Sequence, residues 1–259
     1  MRLRVLGCHG GESSRHRTSS FLIDERLAID AGAVTSQLTL QEQQRVEVVL
    51  VSHAHMDHVR DLATLADNRC QSGGTTLRVV GSPGTIEALR RHYFNDALWP
   101  DFTRIPLADG SGPTLRLEAI PFEQQQQILG YRVRAVQVTH TIESAALLVE
   151  RDGVAVAYSG DTGPTERLWE VLAETPSLRA LLMEVSFPND REELARVSGH
   201  HTPRSLAREL RKLRGHGKEL PVLLFHIKPF FQRQVERELA RLGDERNLVL
   251  LRLGDEFDF

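Results

Sequence analysis

Residues 46–58 read Val46-Glu47-Val48-Val49-Leu50-Val51-Ser52-His53-Ala54-His55-Met56-Asp57-His58, an apolar run that breaks into a histidine-rich turn. Residues 46–51 are nearly continuous in branched aliphatic side chains, the pattern of a strand buried on both faces. Three imidazoles and a carboxylate then fall within positions 53–58. Neutral imidazole and carboxylate are the ligands that zinc, manganese and iron accept. In an extended segment side chains i and i+2 point the same way, so His53 and His55 can grip one ion. A turn beyond them would aim Asp57 and His58 at a second.

Working outward, short β-rich runs alternate with helical patterns. Residues 3–6, 21–23 and 27–29 suggest an opening antiparallel meander. Further strands are expected at 77–80, 114–118, 132–139, 145–150, 154–158, 178–185, 222–227 and 248–253. Arg151-Asp152-Gly153 is a hairpin signal. Helices are expected at 61–66, at 83–92 behind a Ser82 cap and Pro83, from 164 to 172, after Thr202-Pro203, and at 232–242. The glutamine run at 123–127 reads as a surface loop. Three chemistry-bearing residues each follow a strand: His140 ends VRAVQVTH, Asp161 follows VAVAY, and His226 ends VLLFH. No Pro/Gly/Ser-rich linker divides the chain, so residues 1–259 are read as a single domain. The α/β order predicts two mixed sheets packed face to face with helices outside.

Composition narrows the classes. The chain has 259 residues, 41% of them hydrophobic and 26% charged, which excludes a disordered or collagen-like chain. Lys and Arg number 32 against 35 Asp and Glu, a net charge of −3 that argues against a bulk nucleic-acid binder. Two cysteines cannot build a disulfide framework and fit a reducing compartment. No apolar run reaches the ~18 residues of a membrane span, and the first residues read as a strand, not as a secretory leader. A cytoplasmic protein without a membrane partner is expected. If it assembles, a homodimer is the commonest symmetric state.

The order H-x-H-x-D-H, then one His, one Asp and one His, resembles the metallo-β-lactamase superfamily. That resemblance implies an αββα sandwich with its metals at one edge. It implies that His53, His55 and His140 hold a first divalent ion, that Asp57, His58 and His226 hold a second, and that Asp161 bridges them. Zinc is the first expectation, with manganese or iron accepted by the same ligands. Within the superfamily, several stretches resemble the class II 3′,5′-cyclic-nucleotide phosphodiesterases. They are Gly10-Gly11, Asp30-Ala31-Gly32, Phe94-Asn95 with Trp99-Pro100-Asp101, Glu184 to Asn189, Ser198 to Pro203, and His226-Ile227-Lys228-Pro229. The chain departs from that pattern at Met56, Asp61 and His201.

Glu184 ends an apolar strand and His200 lies in a loop before a helix. A carboxylate–imidazole pair of this kind raises the imidazole pKa. His200 is read as the proton donor and Glu184 as its orienting partner, with Asp57 at the catalytic centre. Thr202 is the cap of the next helix, whose N-terminus also suits a phosphate. Lys228 reaches a phosphate or is solvated. Asn95 and Trp99 line a base pocket, touch another subunit or pack in the core. The expected reaction is in-line hydrolysis of a 3′,5′-cyclic nucleotide, cAMP favoured, to a nucleoside 5′-monophosphate. Two cations would neutralise the phosphodiester, and His200 would protonate the departing O3′. The alternatives are a 3′-tRNA endonuclease-type RNA-processing phosphodiesterase and a non-catalytic nucleotide-binding module on the same fold.

Overall fold

The computed structural model describes residues 1–242 and 246–259. Six strands come first: β1 (Arg2–Gly7), β2 (Ser20–Ile23), β3 (Leu27–Ile29), β4 (Val48–Val51), β5 (Leu77–Gly81) and β6 (Leu115–Ala119). Seven more follow: β7 (Gln125–Ile128), β8 (Tyr131–Val138), β9 (Ser144–Arg151), β10 (Val154–Tyr158), β11 (Leu178–Glu184), β12 (Pro221–Phe225) and β13 (Asn247–Leu250). The last, β14 (Glu256–Asp258), returns to pair with β1. The two seven-stranded sheets have the orders β14-β1-β2-β3-β4-β5-β6 and β13-β12-β11-β10-β9-β8-β7.

One cluster of apolar side chains fills the space between the sheets, with Phe21, Ile29 and Leu50 meeting Tyr158, Leu182 and Phe225. A second lies under helices such as Arg167–Ala173 and Pro203–Leu210 on the outer face of one sheet. A third lies under Leu62–Ser72 and Pro83–His92 on the other. This is the αββα sandwich expected, because the β4 run VVLV is wholly buried and demands cover on both faces.

Sheet direction places the site. β10, β11 and β12 run parallel, and β8 shares their direction because β9 is antiparallel to both β8 and β10. The ends of β4, β8, β10, β11 and β12 therefore release His53, His140, Asp161, Glu184 and His226, the pattern of ligand-bearing loops at the carboxyl ends of parallel strands.

Several elements differ from the expectation. Residues 125–128 form an edge strand, not a surface loop, pairing from Gln125↔Arg134 to Ile128↔Tyr131. Leu129 and Gly130, both at positive φ, make the tight turn that folds it back. An edge strand needs no apolar face, so a polar run carries no strand signal. The helix expected from 164 starts at Arg167, the one expected to reach 242 ends at Leu239, and the last predicted strand stops at Leu250. Helices Val34–Gln37, Leu40–Arg45 and Glu192–Ser198 were not anticipated. The second of these opens with a Thr39/Glu42 capping box.

Candidate metal centre and catalytic site

Loops from both sheets bring all seven ligand candidates together. Donor atoms of His53, His55 and His140 lie within 4.8 Å of one another, as do those of Asp57, His58, Asp161 and His226. His55 Nδ1 is 3.1 Å from His53 Nε2 and 3.2 Å from His140 Nε2. Asp161 Oδ2 reaches into both groups, at 3.7 Å from His53 Nε2, 3.3 Å from His58 Nε2 and 3.2 Å from His226 Nε2. Asp57 Oδ2 is 3.2 Å from His226 Nε2.

The outer nitrogens explain why the inner ones converge. His58 Nδ1–H donates to Asp30 Oδ2 at 2.7 Å, and His140 Nδ1–H donates to the Gly199 carbonyl at 2.9 Å. The Ser52 hydroxyl donates to Asp30 Oδ2 at 2.8 Å and accepts from His53 Nδ1–H at 3.0 Å. The Ser186 hydroxyl donates to Glu184 Oε2 at 2.8 Å and accepts from His226 Nδ1–H at 2.9 Å. With the proton held on Nδ1, the Nε2 lone pair of each ring faces the cluster, the arrangement that orients metal-binding imidazoles. His58 Nε2 and Asp161 Oδ1 are buried without a hydrogen-bond partner, which a cation would supply. The donor set therefore fits a pair of divalent ions.

The electrostatics agree. Burial alone would depress His58, yet Asp161 and Asp30 outweigh it and hold the imidazole well above its usual value. Burial would likewise raise Asp161, but His226 and His58 keep it well below the usual carboxylate range. The pocket is built to stabilise positive charge between its carboxylates. His53, fully buried and beside His58, is pushed well below the ordinary histidine value.

Asp30 and Ser186 are the positions sequence reasoning did not assign. Asp30 also accepts from the Tyr158 hydroxyl at 2.7 Å and from the Ser52 amide at 2.8 Å, so one carboxylate braces both sheets and two ligands. Asp30 and His226 both sit at positive φ, at 55° and 71°. Left-handed backbone at non-glycine residues persists where surrounding contacts over-determine it, and here the contacts are those of the cluster. The Asp30-Ala31-Gly32 stretch was the available signal.

Next to the cluster, Glu184 Oε1 stands 3.4 Å from His200 Nδ1 and accepts the His201 amide at 2.9 Å. The His200 ring lies 5.2 Å from that of His226, nearly parallel, and 5.1 Å from that of His140. Burial opposes a charge on His200, but Glu184 overcomes it and raises the imidazole pKa. Lys228 Nζ is 3.9 Å from Asp57 Oδ2, which brings a cation to the same edge.

Other expected contacts fall elsewhere. Thr202 is fully buried, and its hydroxyl accepts the Ser205 amide as a helix cap, leaving its side chain no exposed face for substrate. Asn95 shapes its own loop: Oδ1 accepts from the amides of Ala97 and Leu98, and Nδ2 donates to the Arg91 carbonyl. Trp99 joins that loop through a bridge to Phe94, whose ring is core. Asp61 accepts from the Thr35 amide and hydroxyl, both at 2.8 Å, which accounts for a carboxylate there. His201 is buried with Nδ1 3.0 Å from the Ser205 hydroxyl.

Comparison with known proteins agrees with this fold. Residues 25–227 match the family described as Beta-lactamase superfamily domain, a span that includes every ligand candidate. A Yersinia pestis protein named "Probable 3′,5′-cyclic-nucleotide phosphodiesterase" is 31% identical, over 98% of this chain and 88% of its own. A ribonuclease Z of Bacillus velezensis is 24% identical, over 100% of this chain and 97% of its own. The crystal structure of unliganded yeast PDE1 superposes with a TM-score of 0.82 at 21% identity, covering 98% of each chain. Among the described residues no helix is long and apolar enough to cross a membrane.

Proposed function

The chain belongs to the beta-lactamase superfamily, and from that membership we propose that it is a metal-dependent phosphodiesterase hydrolysing 3′,5′-cyclic nucleotides, cAMP favoured, to nucleoside 5′-monophosphates. The observation that carries the proposal is the pairing of two convergent ligand groups with a buried Glu184–His200 dyad at their border. His53, His55 and His140 would hold one divalent ion, Asp57, His58 and His226 a second, and Asp161 both. Two such cations, zinc foremost and manganese or iron as alternatives, neutralise an anionic phosphodiester and acidify water.

The chain's own groups do the remaining work. Asp30 and Ser186 fix the ligand rings through Nδ1, so the cluster keeps its shape without substrate. Glu184 holds the His200 proton on Nδ1 and favours the imidazolium. His200 then gives a proton from Nε2 to the departing O3′. Lys228, half-buried beside Asp57, adds positive charge for a phosphate oxygen. Cys8 and Cys70 are free thiols, in keeping with a cytoplasmic setting.

The discriminating experiment offers the metal-loaded protein cAMP and precursor tRNA in parallel. Turnover of cAMP supports the proposal. Cleavage of the RNA with no turnover of any 3′,5′-cyclic nucleotide replaces it with the RNA-processing reading.

A further inference from the structure

Of the groups the sequence offered to a nucleobase, Asn95 spends its amide on its own loop, and Trp99 is 38% exposed. A different path leads out of the cluster. From His226 the rings step to His200 at 5.2 Å, to Phe187 at 5.8 Å, to Phe231 at 5.9 Å and to Phe230 at 5.2 Å. Phe187 is buried and Phe231 packs against the outer core, but Phe230 is 92% exposed. Its edge-to-face contact with Phe231 leaves a π face open to solvent.

The turn that presents this ring is tied to the metal site. It comprises Pro229–Phe231. The Lys228 amide donates to the Ser186 carbonyl at 3.2 Å, and the Phe231 amide donates to the Lys228 carbonyl at 2.9 Å. The Ser186 hydroxyl is the group that holds His226 Nδ1. Phe230 is four residues beyond His226, at most ~14 Å of extended chain. The neighbouring amide side chains are committed. Gln232 pairs with His16 and Glu236, and Asn189 Oδ1 accepts the Arg204 amide.

We propose that Phe230, seated on Phe231, is the platform on which the nucleobase stacks, so that this site sorts substrates by the size of the ring system rather than by its hydrogen-bonding edge. The proposal rests on the cyclic-nucleotide reading above. Stacking is tolerant of base identity because every base has a π face. Any preference for cAMP over cGMP is then small, within about tenfold in kcat/KM, and purines exceed pyrimidines.

The test compares Phe230→Ala and Phe230→Trp with the unaltered enzyme on cAMP, cGMP, cCMP and an abasic ribose 3′,5′-cyclic phosphate. Phe230→Ala raises KM for cAMP and cGMP roughly fivefold or more, the scale of one base–aromatic stack. It changes kcat little and KM for the abasic substrate less than twofold, and Phe230→Trp restores tight binding. An unchanged KM for cAMP, an equal loss on the abasic substrate, or a change of oligomeric mass as the main effect overturns the proposal. If the unaltered enzyme turns over no cyclic nucleotide, the reading beneath has failed. The platform is then judged by calorimetry with AMP and ribose 5-phosphate, where it requires tighter AMP binding that Phe230→Ala abolishes. Equal binding of the two by the unaltered protein overturns it.

Discussion

Glu184 Oε1 lies 3.4 Å from His200 Nδ1, and both side chains are buried at the border of the ligand cluster. The carboxylate is already anchored by the His201 amide and the Ser186 hydroxyl, so its position does not depend on the imidazole. Such a pair keeps one histidine protonated where burial would strip it.

Replacing His200 by alanine should lower kcat on cAMP by ~10²–10⁴-fold, the range general acid catalysis supplies. Both metals should remain, because the groups His53, His55, His140 and Asp57, His58, Asp161, His226 converge without it. An ester with p-nitrophenolate as leaving group needs little protonation and should lose far less. Steady-state kinetics on both substrates, with elemental analysis of the variant, checks this. Equal losses would make His200 a substrate clamp, and a lost metal would make it a ligand.

The dyad also sets a pH dependence. Glu184 raises the His200 pKa, and the acid form is the one that donates. Activity should therefore be present below that raised pKa and fall as pH rises through it. Glu184→Gln removes the charge that holds the proton, so the alkaline limb of the kcat profile should move to lower pH. A pH–rate profile of the two proteins on cAMP measures the displacement, and an unmoved limb contradicts the assignment.

Metal stoichiometry separates the ligands. Asp161 reaches histidines of both groups, whereas Asp57 faces His226 alone at hydrogen-bond distance. Asp161→Ala should lower occupancy at both sites, and Asp57→Ala should mainly empty one. Elemental analysis of reconstituted protein decides this, and one ion or fewer in the unaltered chain contradicts a dinuclear centre.

Asp30 accepts four hydrogen bonds, from His58 Nδ1, the Tyr158 hydroxyl and the Ser52 hydroxyl and amide, and through the Ser52 hydroxyl it also reaches His53. Asp30→Asn keeps its size but replaces an acceptor oxygen with a donor, so metal affinity should fall by roughly 10–100-fold, as for other outer partners of metal ligands. Competition with a chromophoric chelator measures the change.

The ligand candidates were legible in the sequence because the histidine turn follows the apolar β4, and Asp161 and His226 follow the apolar β10 and β12. Asp30 and Ser186 were not, since a residue that acts through another ligand's Nδ1 obeys no spacing rule along the chain. The edge strand 125–128 was hidden for a different reason: glutamines lack the alternation that marks a half-buried strand, and its pairing comes from the Leu129-Gly130 turn. The helix at Leu40–Arg45 was readable, with Thr39 and Glu42 at capping-box spacing. Asn95 was open to several readings because a polar–aromatic stretch looks the same whether it binds a base or, as its amide does here, closes its own loop.

The most direct test is to identify the product of cAMP by chromatography after incubation with metal-loaded protein. With His200 protonating O3′, the P–O3′ bond breaks and 5′-AMP accumulates. Accumulation of 3′-AMP alone would mean that the O5′ bond is the one cleaved, and the placement of His200 at the leaving group would be wrong.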